Sequence, residues 1–138
     1  MSPIIRPLYK HYWMPKKSFL TNRIHSVRFA LKGAILLIRT EASIKVQVFI
    51  GILMTAAGFF FEISGTEWTI QILAIALILG IEGMNTAIEK MADFVQPDHD
   101  PKIGFIKDIS AGAVMMAAIA ATIVGLIIYI PKIIDMFF

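Results

Sequence analysis

Residues 109–130 contain no charged side chain. At about 1.5 Å per residue, some 22 apolar residues cross a hydrocarbon layer of roughly 30 Å, so this stretch predicts a transmembrane helix. Residues 44–61 predict a second, interrupted only by Lys45 and Gln47 near its start. Residues 68–95 predict a third of another kind: 70–81 is apolar, but Glu82, Asn85 and Glu89 fall in the later half. Residues 19–38 follow a different rule. Ile24, Val27, Leu31, Ile35 and Ile38 recur every three or four positions, with Arg23, Arg28, Lys32 and Arg39 on the other side. That periodicity predicts an amphipathic helix lying on a membrane surface, its cations near anionic headgroups. Upstream, Pro3, Pro7 and Pro15 among Tyr9, Tyr12 and Trp13 predict an irregular interfacial arm.

The expected organisation is all-α and membrane-integral. An irregular basic and aromatic arm covers residues 1–20, and a single membrane domain covers 21–138. Within these, the surface helix spans about 19–39 and the membrane helices about 42–61, 67–95 and 104–130. Composition agrees: of 138 residues 57% are hydrophobic and only 17% charged, and the mean hydropathy is +0.74. A soluble domain keeps about a quarter of its residues charged. Nucleic-acid binders, disordered tails and ordinary cytosolic enzymes are therefore excluded, despite a pI near 9.3. The absence of cysteine excludes disulfide frameworks, thiolate metal sites and cysteine nucleophiles. The basic, broken-up first 43 residues do not read as a signal peptide.

Charge also orients the chain. Arg6, Lys10, Lys16, Lys17, Arg23, Arg28, Lys32, Arg39 and Lys45 face Glu41 alone in the first part, whereas residues 62–67 hold two carboxylates and no base. Lys90, Lys102 and Lys107 flank the connection between the last two spans. The positive-inside rule then places the N-terminus and the 96–107 loop in the cytoplasm and the C-terminus outside.

Glu82, Asn85, Glu89 and Asp93 are spaced three, four and four apart, which puts them on one helix stripe rising about 16 Å. Counting from Trp68, Glu82 falls roughly 9 Å inside the apolar layer, and Glu89 and Asp93 at or beyond its edge. A carboxylate at such depth is costly unless paired or used. A structural explanation for Glu82 is an ion pair with a lysine or arginine elsewhere. Asn85 alone could bond across helices, and Glu89, Lys90 and Asp93 alone could be solvated boundary groups. Glu41 opens the first span and Lys107-Asp108 opens the third, so several carboxylates, an amide and a lysine collect at one boundary. Such oxygen-rich sets suit Mg²⁺ carrying a phosphate, with Lys107 balancing phosphate charge near its helix N-terminus. No G-x-x-x-x-G-K-[ST], H-R-D or D-F-G sequence is present, which excludes P-loop and protein-kinase folds.

Ala113, Ala117, Ala121 and Gly125, four apart, read as a packing stripe. His11, His25 and His99 are too scattered for a metal set, and Asp98-His99-Asp100 reads first as a solvated loop.

The run Glu82-Gly-Met-Asn85-Thr-Ala-Ile-Glu89-Lys-Met-Ala-Asp93, followed by Lys107-Asp108 and Ala111-Gly112-Ala113, resembles the small prokaryotic diacylglycerol kinase and undecaprenol kinase family. Ser26-Val-Arg28-Phe-Ala30-Leu-Lys-Gly33 and Thr40-Glu41 extend the likeness, which runs from about Arg23 to Pro131. The resemblance implies a surface helix and three spans in a homotrimer with shared active sites. It implies transfer of the γ-phosphate of MgATP to a lipid hydroxyl in a prokaryotic cell membrane, with no nucleic-acid partner. It makes Glu82 the base or positioner of the lipid hydroxyl and Glu41 and Glu89 the Mg²⁺ ligands. Asn85, Lys107, Asp108 and Asp93 become nucleotide or phosphate contacts, joined by Phe29, Arg23 and Asp100, and Ala111 sits with the lipid.

Departures accompany the likeness. Ser43 and Lys45 stand where the family often has Asn and Arg, and Lys lacks the bidentate fork of Arg. Asn22 occupies the place of a surface-helix arginine, with Arg23 adjacent. Ala111-Gly112-Ala113 resembles the undecaprenol branch, so undecaprenol is the first expected acceptor and diacylglycerol the second. The competing function is a small transporter or channel with Glu82 as a proton or cation site.

Overall fold

The computed structural model describes residues 19–137, with the side chains of residues 20–22 outside the description. The expected arm therefore lies outside the described residues, apart from its last two positions, and so does the Asn22 side chain. The described chain is four helices: α1 (Phe19–Thr40), α2 (Ala42–Phe60), α3 (Gly65–Val95) and α4 (Pro101–Phe137). Three of them, α2, α3 and α4, are long and apolar enough to cross a membrane. The α3 and α4 helices, of 31 and 37 residues, would run about 46 and 55 Å, well beyond a 30 Å hydrocarbon layer. α4 continues through Pro131 to Phe137, beyond its charge-free run.

The described residues up to 36 and those from 37 onward form two units. In the first, α1 leaves Ile24, Val27, Phe29, Leu31 and Ile35 exposed, and the Arg23 guanidinium sits 5.1 Å from the centroid of the Phe19 ring.

In the second unit, α3 packs against both α4 and α2, more closely against α4. Local chemistry sets the joints. The α2 C-terminus is closed by Glu62 N–H donating to the Phe59 carbonyl (3.3 Å) and Ile63 N–H to the Gly58 carbonyl (3.1 Å). This Schellman closure puts Glu62 in the left-handed region (φ 48°) and drops Ile63 into the core. Ser64 then starts α3 with a capping box: its hydroxyl accepts from Glu67 N–H (3.3 Å), and Glu67 accepts from Ser64 N–H (2.7 Å). α4 starts similarly, with Pro101 in its first turn and the Asp100 carboxylate accepting from Lys102 N–H at 2.7 Å.

A small core sits beside the α2–α3 turn, where Ile63, Ile128 and Tyr129 gather Met54, Ala57, Phe61, Trp68 and Val124. Gly58 is required there, since a Cβ would lie 2.7 Å from the Trp68 ring. Gln71 Nε2 donates to the Met54 carbonyl (3.1 Å), and the Tyr129 hydroxyl lies 2.7 Å from Gln71 Oε1 and 3.0 Å from that same carbonyl. One hydroxyl proton serves one of these acceptors at a time. These contacts join α2, α3 and α4 where no water would satisfy the groups. Among the described residues no large side chain is completely buried.

Candidate active site

The opposite end of the second unit carries the carboxylates. Glu41 is the single non-helical residue between α1 and α2, with extended backbone (φ −97°, ψ 122°) and no side-chain capping bond. Its carboxylate is therefore free for other partners. It accepts from the Thr40 hydroxyl at 2.8 Å and pairs with Lys90 Nζ at 3.0 Å. The Thr40 hydrogen bond first, and then the one from Lys90, hold this carboxyl below the usual carboxylate range. Glu41 is thus tied to the turn of α3 that carries Glu89.

Along α3 the stripe is graded. Glu82 and Asn85 are buried, at 6% and 7% exposure, Glu89 is half-buried and Asp93 exposed. Asn85 Nδ2 donates to Glu89 Oε1 at 2.9 Å, while Asn85 Oδ1 is buried with no hydrogen-bond partner. Glu82 Oε2 accepts from Gln47 Nε2, reaching across from α2, at 3.2 Å. Among the described residues no lysine or arginine pairs with Glu82, so the ion-pair explanation for its burial is not the one the chain uses. Lys107 reaches back from α4 to Asp93 Oδ1 at 2.8 Å.

Three pairs thus draw the starts of α2 and α4 toward the later half of α3, Glu41–Lys90, Gln47–Glu82 and Asp93–Lys107, and a fourth, Asn85–Glu89, runs along α3 itself. Asp108 and Ala111 lie exposed on the first turns of α4. Asp100 is spent on the α4 N-terminus. Phe29 and Arg23 belong to the first unit and are exposed there.

Two members were not singled out from sequence. Gln47 read only as a polar interruption of a span, and Lys90 as a boundary charge. A weak signal existed for Gln47, because an amide at membrane depth needs a partner.

Among the described residues no three histidine or acidic groups converge into a metal cage. Mg²⁺ with nucleotide does not require one, since it takes one or two carboxylates and leaves its other positions to phosphate and water. Glu41, Glu89 and the unpartnered oxygen of Asn85 are hard oxygen donors of the required type, so the residues fit such an ion.

Residues 28–129 match the prokaryotic diacylglycerol kinase family model. The chain is 36% identical to the undecaprenol kinase of Bacillus subtilis over 94 residues, 68% of this chain and 76% of that protein. It is 28% identical to a diacylglycerol kinase of Synechocystis over 132 residues, 95% of this chain and 73% of that protein. A diacylglycerol kinase of Haemophilus influenzae is 25% identical over 114 residues, 83% of this chain and 94% of that protein.

Proposed function

The chain belongs to the prokaryotic diacylglycerol kinase family and is a multi-pass membrane lipid kinase; from that premise we propose that it transfers the γ-phosphate of MgATP to undecaprenol, with diacylglycerol as the second acceptor. The observation that carries the reading is the graded stripe on α3. Glu82 is buried, at a position that the residue count from Trp68 puts inside the apolar layer, and Glu89 stands seven residues, about 10 Å, nearer the helix end. A lipid hydroxyl and a water-soluble nucleotide reach a membrane boundary from opposite sides, so two carboxylates at two depths suit both substrates.

Glu82 orients the lipid hydroxyl and receives its proton as the oxygen bonds to the γ-phosphorus and the bond to the β–γ bridging oxygen breaks, releasing ADP. Glu41 and Glu89 would hold Mg²⁺, which when bound would offset phosphate charge. Asn85, Lys107 and Asp108 contact nucleotide or phosphate, with Asp93 keeping Lys107 in place until phosphate arrives. The preference for undecaprenol is supported by the Bacillus subtilis relative and by Ala111-Gly112-Ala113.

The active form is a homotrimer in a prokaryotic cell membrane, with the N-terminus and carboxylate end cytoplasmic and α1 on the inner leaflet. Support comes from the basic N-terminal region and from spans that leave most of their apolar side chains uncovered within one chain. The test is labelled ATP and Mg²⁺ given to purified protein in lipid bilayers with each alcohol separately. Phosphorylated undecaprenol formed faster than phosphatidic acid is the expected result. A faster reaction with diacylglycerol reverses the order, and no product from either alcohol overturns the function.

A further inference from the structure

We infer that Gln47 is the positioning residue for Glu82, an inference that rests on the lipid-kinase reading above. Gln47 lies in the second turn of α2, on the side facing α3, and its Nε2 donates to Glu82 Oε2 at 3.2 Å. Its other atom, Oε1, is buried with no hydrogen-bond partner among the described residues. A glutamine that only joins helices in an apolar layer satisfies both ends of its amide, as Gln71 does by donating to the Met54 carbonyl and meeting the Tyr129 hydroxyl. Gln47 leaves its acceptor unanswered and directs its donor at the one deeply placed carboxylate. The reverse amide orientation would set oxygen against carboxylate oxygen, so Glu82 itself fixes which way Gln47 faces.

Gln47 also lines an apolar cavity of about 650 Å³ that passes Gly51, Met54 and Ile75 to Tyr129. The amide therefore stands between that cavity and Glu82. The Glu82 side chain rotates about three bonds and accepts from no other residue among those described. Without the amide, its oxygens have no fixed direction from which to meet a hydroxyl. Displacing a reacting group by about 1 Å can cost on the order of 10²-fold in rate.

The test compares wild type, Gln47→Met, which keeps the length of the side chain and removes the donor, and Gln47→Ala, each alone and with Glu82→Gln, in bilayers of one composition. The expected result for Gln47→Met is a kcat lowered about 10- to 100-fold with unchanged MgATP affinity. In the Glu82→Gln background the same substitution should cost nothing more, because the carboxylate it orients is gone. A helix-packing role would instead lower thermal stability and reduce activity equally in both backgrounds. A second readout needs no turnover. The carboxylate stretch of Glu82, isolated as the infrared difference between wild type and Glu82→Gln, should shift when Gln47 becomes Met. An active wild type whose Gln47→Met variant keeps its kcat and its carboxylate band, or loses activity equally in both backgrounds, overturns this inference alone. A wild type that phosphorylates no lipid alcohol overturns the kinase reading, and this inference with it.

Discussion

Beside the α2–α3 turn, Gln71, Tyr129 and the Met54 carbonyl answer one another, Ser64 and Glu67 close a reciprocal cap, and Lys132 reaches Glu67 at 3.4 Å. At the other end of the same helices, Gln47 and Asn85 each keep a buried oxygen without a partner. There the lysines hold carboxylates that are themselves half-buried or exposed. The two ends share residue types and differ in whether the hydrogen-bond inventory closes. A closed inventory stabilises the fold, and an open one keeps capacity for a ligand at the expense of stability. Substitutions at the turn end should therefore move stability and leave turnover alone, and substitutions at the carboxylate end should do the reverse.

The largest expected effect is at Glu82. Glu82→Gln should lower kcat by about 10²–10⁴-fold with MgATP affinity nearly unchanged, because the group acts on the lipid hydroxyl in the transition state. Part of that loss is mispositioning, since phosphoryl transfer depends mainly on alignment and charge stabilisation. Glu89→Gln should weaken MgATP binding about tenfold, equivalent to roughly 1.4 kcal/mol, with partial recovery at raised Mg²⁺. ATP affinity and turnover measured for both variants separate the two roles. Equal losses of nucleotide affinity would mean that depth along α3 does not divide the work.

The helices and the stripe were legible in the sequence because both are local: a charge-free run and a spacing of three or four need only one helix to exist. The partners were not. Whether Gln47 meets Glu82, or Lys90 meets Glu41, depends on how one helix is rotated against the next, which no single-helix period records. Gln71 and Tyr129 passed as ordinary members of apolar spans, although a polar atom at that depth is itself a request for a partner. Two local signals were present and unread. Ser64-x-x-Glu67 is a capping box between the first and second spans. Asp100-Pro101 is a cap followed by a first-turn proline, at the end of the Asp98-His99-Asp100 stretch that reads as a solvated loop.

At the turn end, Tyr129→Phe removes one hydroxyl and nothing else. It leaves Gln71 Oε1 without that donor while Gln71 Nε2 keeps its bond to Met54. Interhelical hydrogen bonds in membranes average about 0.6 kcal/mol and reach about 2 kcal/mol. Unfolding in mixed micelles should show a loss in that range, with kcat and both substrate affinities unchanged. A fall in kcat without a fall in stability would erase the contrast between the ends.

The smallest effect should be a gain. Glu62 is the residue at positive φ that closes α2, and left-handed backbone costs a side-chain-bearing residue roughly 1–2 kcal/mol relative to its preferred region. Glycine adopts the conformation without that penalty but gives back part of the advantage through the extra freedom of its unfolded chain. Glu62→Gly should therefore stabilise the protein by a few tenths of a kcal/mol to about 1 kcal/mol. Glu62→Ala, which deletes the same carboxylate but keeps Cβ, is the control and should show no such gain. If both substitutions stabilise equally, the relief comes from removing the carboxylate and not from the backbone. If only glycine stabilises, the strain is in the backbone. Turnover should be the same in both variants and wild type, because the turn lies at the far end of α3 from Glu82 and Glu89.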